Sequence, residues 1–543
     1  MMFKSIIKLL LILILTLVTF SCSQPAINEA PNIILIMSDD MGYSDLACYG
    51  GEINTPNLDR LANNGLRFTQ FYNTARCCPT RASLMTGLYP HQAGIGHMTN
   101  YPPDSLSNNY GVPEYQGYLN RSSVTIAEVL REAGYHTIMA GKWHLGYFGK
   151  EKWPLQRGFD RFYGILSGAT NYFNPQPPKG LTLGYEHIDP EGDDYYTTDA
   201  FTDYAIRFME ESRKQDERPF FLYLAFNAPH WPLHAPAELI NKYRGKYLGG
   251  WSRLREERYQ RMIEMGLIDK NWKLTTQDSR PWDSLNDEKK QELDFRMAIY
   301  AAMIDRMDQN IGRLVEYLEN RGILDNTVII FLDDNGACAE SDELGSGPRE
   351  QLGTKDGYLL SYGRAWANVS NTPFREYKHW VHEGGISSPF IIHWPSGIES
   401  KYYGQIVDQY GYLPDIMATC LDLADAEYPE VFNGINITPL EGKSLLPVLK
   451  GSREQVHAEP IFWEHEGNKA VRMGRYKLVS MWKPGSEYSW ELYDMEADRT
   501  ETNDLSDVLP EIKEELINTY MEWAERNNIL DWNEVNELRN KKR

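Results

Sequence analysis

Ten residues of this chain are of types that together can hold and transform an anionic group. Asp39, Asp40, Asp334 and Asn335 offer only oxygen donors, as calcium or magnesium requires. Arg81, Lys142 and Lys378 supply positive charge for anion oxygens and for charge that develops on them during a reaction. His144 and His230 change protonation near neutral pH and suit proton transfer. Cys77 is the nucleophile candidate. Pro79 suits the first turn of a helix, and Ala82 to Met85 continue it. Cys77 then lies at a helix N-terminus, where free N–H groups and the dipole favour an anion.

These residues need elements that bring them to one place. Four apolar runs end in chemically capable residues. Residues 33–37 run into Ser38-Asp39-Asp40, and 136–140 into Gly141-Lys142-Trp143-His144. Residues 220–226 run into Asn227-Ala228-Pro229-His230, and 328–332 into Asp333-Asp334-Asn335-Gly336. Runs this short and this rich in Ile, Leu, Phe and Val read as buried strands of a largely parallel sheet. Ligands of open α/β sheets bind at the carboxyl ends of the strands, so four such tips predict one shared site. Between the runs lie helical segments. The clearest has Met297, Tyr300, Ile304, Met307, Ile311, Leu314 and Leu318 on one face. After residue 450 the pattern changes to short strands at 460–464, 470–472, 476–481 and 490–493, followed by a helix near 512–525. The expected fold class is α/β: a large, mixed, mostly parallel sheet flanked by helices, with a small C-terminal α+β subdomain. The expected divisions are a signal peptide at 1–21, a catalytic domain at 31–450 and the C-terminal subdomain at 451–543. The polar stretch 242–292, with Trp251, Trp272 and Trp282, reads as a surface insertion of helix and loop.

Composition narrows the partners. Of 543 residues, 55 are Lys or Arg and 76 are Asp or Glu, leaving a formal charge of −21. So acidic a surface repels nucleic acid and excludes it as a partner. An anionic substrate therefore needs a local cluster of cations. Lys4 and Lys8 followed by the apolar run 9–20 read as an export signal too short to span a membrane. Ser21-Cys22 suggests lipoprotein cleavage with a lipid anchor on Cys22, ordinary secretory cleavage being the alternative. The expected location is periplasmic or cell-surface. Cys48, Cys338 and Cys420 are open to two readings: one disulfide in an oxidising compartment, or buried free thiols.

The stretch Cys77-Cys78-Pro79-Thr80-Arg81-Ala82-Ser83-Leu84-Met85-Thr86-Gly87 resembles the signature of the type I, formylglycine-dependent sulfatases, Cys-x-Pro-x-Arg followed by a short helix. The register, Pro at +2 and Arg at +4, selects Cys77 over Cys78. Asp39-Asp40, Gly141-Lys142-Trp143-His144-Leu145-Gly146, Asp334-Asn335-Gly336, Thr372-Pro373-Phe374-Arg375-Glu376-Tyr377-Lys378 and Glu383-Gly384-Gly385 follow in that family's order. The resemblance covers residues 32 to about 505 and is strongest to bacterial arylsulfatases, within the alkaline phosphatase superfamily. It implies that a formylglycine-generating or sulfatase-maturating enzyme oxidises Cys77 to an aldehyde that hydrates to a diol. One hydroxyl attacks sulfur and the second later expels sulfate. The resemblance also implies one calcium ion, held by Asp39, Asp40, Asp334, Asn335 and the diol oxygen of residue 77. It gives Arg81, Lys142 and Lys378 the sulfate oxygens, gives His230 with Lys378 the leaving alkoxide, and gives His144 the diol. The chain departs from the family at Asp333, where a small polar residue is usual. Asp333 either turns into a hydrogen-bond network or competes as a ligand, and the Asp-Asn-Gly register favours Asp334. Arg375 and His379 are neighbours given no direct role.

The implied activity is hydrolysis of sulfate monoesters, on an aryl sulfate or a sulfated glycan. Two alternatives stand beside it. One is a phosphonate monoester or phosphodiester hydrolase of the same superfamily, and the other a glycan-binding sulfatase relative left unmatured. Substrate-selecting loops are expected at 102–117, at 171–196 and in the C-terminal subdomain, all rich in Tyr, Trp or Asn.

Overall fold

The computed structural model describes residues 30–100 and 108–541. The export segment, Cys22 and residues 102–107 of the first expected loop lie outside the described residues.

Ten strands form the main sheet: β1 (Asn32–Asp39), β2 (Leu66–Tyr72), β3 (His136–Lys142), β4 (Arg161–Ile165), β5 (Leu181–Leu183), β6 (Glu186–Ile188), β7 (Phe220–Pro229), β8 (Thr327–Asp333), β9 (Ser387–His393) and β10 (Gln405–Tyr412). Their spatial order is β10-β2-β9-β8-β1-β7-β3-β4-β5-β6. The four apolar runs read from the sequence are β8, β1, β7 and β3, four consecutive neighbours. All three of their pairings are parallel, with Ile33 beside both Phe221 and Val328. Their carboxyl ends therefore lie together. Strand β9 runs antiparallel to both β8 and β2, and the β5–β6 hairpin extends the far edge. Residues 171–196, read as loop, thus contain two short strands, of which β6 is the edge.

The reason β1 reads as continuously apolar is that both of its faces are covered. Ile34 and Ile36 enter one core and Ile33, Leu35 and Met37 the other, following the period of two along a strand. Helices α2 (Thr197–Arg213) and α3 (Asp287–Asn320) cover the first face. Helices α1 (Cys77–Thr86) and α4 (Pro414–Ala424) cover the second.

The stretch 242–292 is helix and loop with most residues exposed, as read, but one face of it is core. Trp251 and Trp282 are buried, and with Trp366 they form an edge-to-face cluster with centroids 4.8–5.8 Å apart. Arg258, on the same segment's helix (Trp251–Glu264), is fully buried between Asp45 and Glu52. The segment turns Trp251, Trp282 and Arg258 inward, Arg258 onto acids of another part of the chain, while most of its polar residues stay exposed, so composition reads its outer face and misses its inner one.

A two-stranded ribbon, β11 (Val431–Phe432) and β12 (Ile435–Asn436), precedes the C-terminal unit. That unit is an antiparallel meander of β13 (Ile461–His465), β14 (Asn468–Met473), β15 (Tyr476–Ser480) and β16 (Trp490–Asp494). Helix α5 (Pro510–Arg526) packs on it through Leu516, Tyr520 and Trp523. The same core includes Tyr72, Tyr89, Val381 and Ile386 of the main body. Among the described residues no disulfide forms; Cys48, Cys338 and Cys420 are buried thiols. No described helix is long and apolar enough to cross a membrane.

Candidate active site

The floor of the site is the carboxyl edge of β1 and β8. Asp39 ends β1, and Asp40 then turns into the left-handed region at φ 70°. That turn sends the two carboxylates in different directions. Asp39 Oδ2 accepts from Lys142 Nζ at 2.6 Å. Asp40 accepts from Lys378 Nζ at 2.8 and 2.9 Å and from Asn335 Nδ2 at 2.7 Å. From β8, Asp334 Oδ2 accepts from Arg81 Nη2 at 2.7 Å. Asp333 faces away. Its Oδ1 accepts from the Ser38 hydroxyl at 2.5 Å and the Met41 N–H at 3.3 Å, and the Asn335 N–H reaches its Oδ2 at 3.4 Å. The Glu-Gly-Gly motif explains Gly336: a Cβ there would meet the Gly384 carbonyl oxygen at 1.7 Å. Only glycine lets the two motifs close on each other.

Cys77 opens α1, with Arg76 as its N-cap. It is fully buried. A hydrogen bond from Cys78, with Lys142 and His144 beside it, holds the Cys77 thiol well below the ordinary range against the effect of burial. Cys78 belongs to the apolar core, where its sulfur accepts from the Thr99 N–H at 3.2 Å, and burial pushes its thiol far up. The two adjacent thiols thus have opposite characters. One turn on, Arg81 is fixed from both sides, donating to Asp334 and to the Lys142 carbonyl at 3.1 Å.

The hydrogen bonds set the histidine tautomers. His144 Nε2 lies 2.8 Å from the Thr99 carbonyl. A carbonyl only accepts, so Nε2 carries the proton and Nδ1 keeps its lone pair. Nδ1 is buried without a hydrogen-bond partner in this structure, and its neighbour is Cys77. His144 itself stands at φ 57°, with its ring over Gly168. His230 Nδ1 lies 2.6 Å from the Trp231 carbonyl, which leaves the Nε2 lone pair facing Lys378 Nζ at 3.5 Å. Burial pushes the His230 pKa down to about 4 despite Asp40, so the ring is neutral near pH 7. Burial also works against the Lys378 charge, but Asp40 and Glu340 outweigh it and hold its pKa well above the ordinary lysine value.

All ten residues singled out in the sequence meet at this edge. The donor set fits a hard divalent cation. Asp39 Oδ1 and Asn335 Oδ1 are buried without a hydrogen-bond partner, and both belong to the oxygen-only set. Burial and the neighbouring Asp39 charge raise Asp334 to about 8. Burial raises Asp39 in the same way.

Two residues of the site were missed in the sequence. Glu340 accepts from the Trp231 indole N–H at 3.3 Å and lies 3.9 Å from Lys378 Nζ. It also pairs with Arg76 at 2.7 Å. Arg76 adjoins the signature, a signal that was available, whereas Glu340 follows its motif at no diagnostic spacing. Arg375 turns away from the centre, toward Glu491 and Tyr493 of the C-terminal unit.

A mostly parallel sheet with acids at its carboxyl edge and a cysteine heading a buried helix defines a hydrolase of the alkaline phosphatase-like superfamily. A family model described as Sulfatase matches residues 31–426, and one described as N-sulphoglucosamine sulphohydrolase, C-terminal, matches residues 375–527. The chain belongs to the sulfatase family and is a hydrolase acting on sulfate esters. It is 36% identical to an uncharacterized sulfatase of Schizosaccharomyces pombe, over 92% of this chain and 94% of that protein. It is 34% identical to an arylsulfatase of Klebsiella aerogenes, over 80% of this chain and 96% of that one. Among solved structures, Ps i-CgsB in complex with k-i-k-neocarrahexaose superposes with a TM-score of 0.67 at 26% identity, covering 91% of this chain and 93% of that one.

Proposed function

We propose that the chain hydrolyses sulfate monoesters, of a glycan or a small aryl alcohol, with residue 77 in its formylglycine form and one calcium ion held by Asp39, Asp40, Asp334 and Asn335. The observation that carries this is the pairing of a buried Cys77 at the head of α1 with two buried oxygens, Asp39 Oδ1 and Asn335 Oδ1, that have no hydrogen-bond partner at the same strand edge. The thiol here stands for the hydroxyls of the matured residue. Hydrated formylglycine supplies an oxygen nucleophile and a second hydroxyl from which sulfate can later be released. Calcium, when bound, supplies positive charge that offsets the acids and polarises a sulfate oxygen.

The chain's own side chains do the rest. Arg81 and Lys142, each oriented by an aspartate, present fixed donors to sulfate oxygens, so no reorganisation is needed as charge develops. His144 Nδ1 takes or returns the proton of a hydroxyl on residue 77. Lys378 is the cation facing the leaving oxygen, and His230 Nε2 holds its ammonium in place. A maturating enzyme is required. The segment 1–21 directs export, and a lipid on Cys22 anchors the chain at the periplasmic or outer cell surface.

Mass spectrometry of the peptide containing residue 77 from native cells tests the reading. The aldehyde mass is expected; a peptide with the full thiol mass only would favour a binding role. In the matured protein, Cys77→Ala should lose at least about 10⁴-fold in kcat, as when a covalent nucleophile is removed. Cys78→Ala should keep activity within about threefold and lose about 1 kcal/mol of stability. An aryl phosphodiester turned over much faster than an aryl sulfate would sink the sulfatase assignment and favour the diesterase.

A further inference from the structure

We propose that Arg76, His379 and Glu466 form a mouth that reads the hydroxyl groups of a sugar, so that the natural substrate is a carbohydrate sulfate and not an aryl sulfate. This rests on the sulfatase reading above and deepens it. The floor is sealed: Asp39, Arg81 and Lys142 side chains have no exposure. The next shell outward is open, with side-chain exposures of 14% for Arg76, 30% for His379 and 22% for Glu466. Contacts tie this shell to the site. Arg76 pairs with Glu340 at 2.7 Å, and Glu340 lies 3.9 Å from Lys378 Nζ, the cation assigned to the leaving oxygen; Glu466 accepts from the N–H of Met98, whose sulfur is 3.8 Å from Cys77 Sγ. Glu466 comes from the turn between β13 and β14, which makes the C-terminal unit the third wall.

The groups at this mouth are held in place. His379 and Glu466 both occupy the left-handed region, at φ 94° and 49°, where side-chain-bearing residues stay only if their surroundings impose it. Glu466 Oε1 accepts from the Met98 N–H at 3.2 Å, leaving Oε2 3.6 Å from His379 Nδ1. Asn468 Nδ2 lies 3.3 Å from His379 Nε2. Against His379, edge-on with a centroid distance of 5.2 Å, lies His465. It has no exposure and neither ring nitrogen has a hydrogen-bond partner. A buried, unsatisfied imidazole at the base of an open polar cluster points to a ligand or bridging water that completes it.

The chemistry of the mouth selects the ligand. It mixes a carboxylate acceptor, a guanidinium donor and imidazoles, the set that pairs with vicinal hydroxyls. A flat aryl leaving group would strip water from these groups and return no hydrogen bonds. His379, His465 and Glu466 can bring one donor atom each within 4.8 Å, so a metal is the competing occupant. Arg76 opposes it by charge: burial first and then Arg76 lower the His379 pKa to about 4, and burial, His379 and Arg76 lower that of His465.

The test uses the full-length, matured enzyme with 4-nitrophenyl sulfate and a panel of monosulfated hexoses and N-acetylhexosamines. Glu466→Gln keeps shape and removes the charge, and His379→Gln serves as an independent second variant. Each should cut kcat/KM on the best sugar sulfate by about 30- to 100-fold and on the aryl sulfate by less than about fivefold, the asymmetry of a site built to bind hydroxyls. Equal losses on both substrates would overturn the proposal, as would a wild type that turns over the aryl sulfate but no sugar sulfate. So would a zinc equivalent retained by the wild type and lost in His379→Gln. A matured wild type inert on every sulfate ester would instead overturn the underlying reading of residue 77.

Discussion

Two of the buried clusters of charge in this protein are built on opposite principles. Between the main body and the C-terminal unit, Glu383 pairs with Lys477 at 2.9 Å and Arg499 at 2.7 Å, and Glu501 pairs with Lys477 at 2.8 Å. Two acids meet two bases, and the Tyr72 and Ser387 hydroxyls add further hydrogen bonds to Glu383. Burial works against the Glu383 charge, but Lys477 and Arg499 win and hold its pKa down to about 2. At the active site Asp39, Asp40, Asp333 and Asp334 crowd against Arg81, Lys142 and Lys378. There, burial and mutual repulsion raise Asp334 to about 8 and lift Asp333 well above the ordinary range. Only Asp40 is lowered, because Lys378 and His230 overcome its burial. One cluster is complete as folded. The other leaves Asp39 Oδ1 and Asn335 Oδ1 without a hydrogen-bond partner and has more acid than base, a donor set that fits a cation.

The largest expected effect breaks that contrast directly. Exhaustive chelation should lower turnover of an aryl sulfate by roughly 10³-fold or more, with recovery on adding calcium. The inter-unit cluster involves no metal, so the metal-free protein should stay folded. Calcium at about 100 times its Kd should then add about 2.7 kcal/mol to its stability. Without metal, Asp334 binds its proton up to about pH 8 whereas an unfolded aspartate releases it near 4. The folded state therefore binds more protons across that window, and the metal-free protein should lose stability as pH rises through it. Denaturant melts with and without calcium from pH 5 to 9 measure both. Undiminished turnover after complete chelation would contradict the assignment of the acids.

The sequence made the active-site cluster readable and left the inter-unit cluster hidden, for physical reasons. Strands β8, β1, β7 and β3 are covered on both faces, so each reads as an unbroken aliphatic run whose polar tip stands out. Strands β2 and β10 carry Arg67, Gln70, Asp408 and Gln409 among their apolar residues and give no such signal. The chemistry at the strand tips comes in local strings such as Asp334-Asn335-Gly336, so proximity in space is partly written in the chain. Glu383 opens a motif readable in the sequence, but its partners Lys477, Arg499 and Glu501 lie in two distant segments and look like solvated charges. The same holds for Glu340 and Glu466, which tertiary packing alone brings to the site. Arg258 shows the error in the other direction, a buried charge on a segment most of whose residues are exposed.

The second effect sharpens the contrast on the structural side. Glu383→Ala leaves Lys477 and Arg499 buried with part of their counter-charge gone, and should cost about 3–5 kcal/mol. It should leave the metal affinity of the folded protein unchanged, which calorimetry with calcium can check. The pH dependence has the opposite sign to that of Asp334. Because the folded pKa of Glu383 is about 2 against an ordinary 4.5, its contribution is present above pH 4.5 and lost as pH falls toward 2. About 3 kcal/mol should disappear over that interval in the wild type and be absent from Glu383→Ala. An acid-unfolding profile that is the same in the two proteins would show that the cluster is not the link between the units.

The smallest effect probes how tightly the catalytic cluster is positioned. Gly168 lies under the His144 ring, and a Cβ there would sit 2.6 Å from Cε1 and 2.8 Å from Nε2. Alanine forces the ring to move by several tenths of an ångström. The ring cannot swing freely, because Nε2 is tied to the Thr99 carbonyl and the His144 backbone is already in the left-handed region. The displacement therefore reaches Nδ1, the atom placed to exchange a proton with residue 77. Gly168→Ala should lower kcat about tenfold, a modest share of the loss that a full ångström of misplacement brings. Stability should change by no more than about 1 kcal/mol, since one methyl meets one side chain. Because His144 is assigned to residue 77 and not to the leaving group, the loss should be the same for aryl sulfates with good and poor leaving groups. A loss that grows as the leaving group worsens would move His144 to the other half of the reaction and require a new base for residue 77.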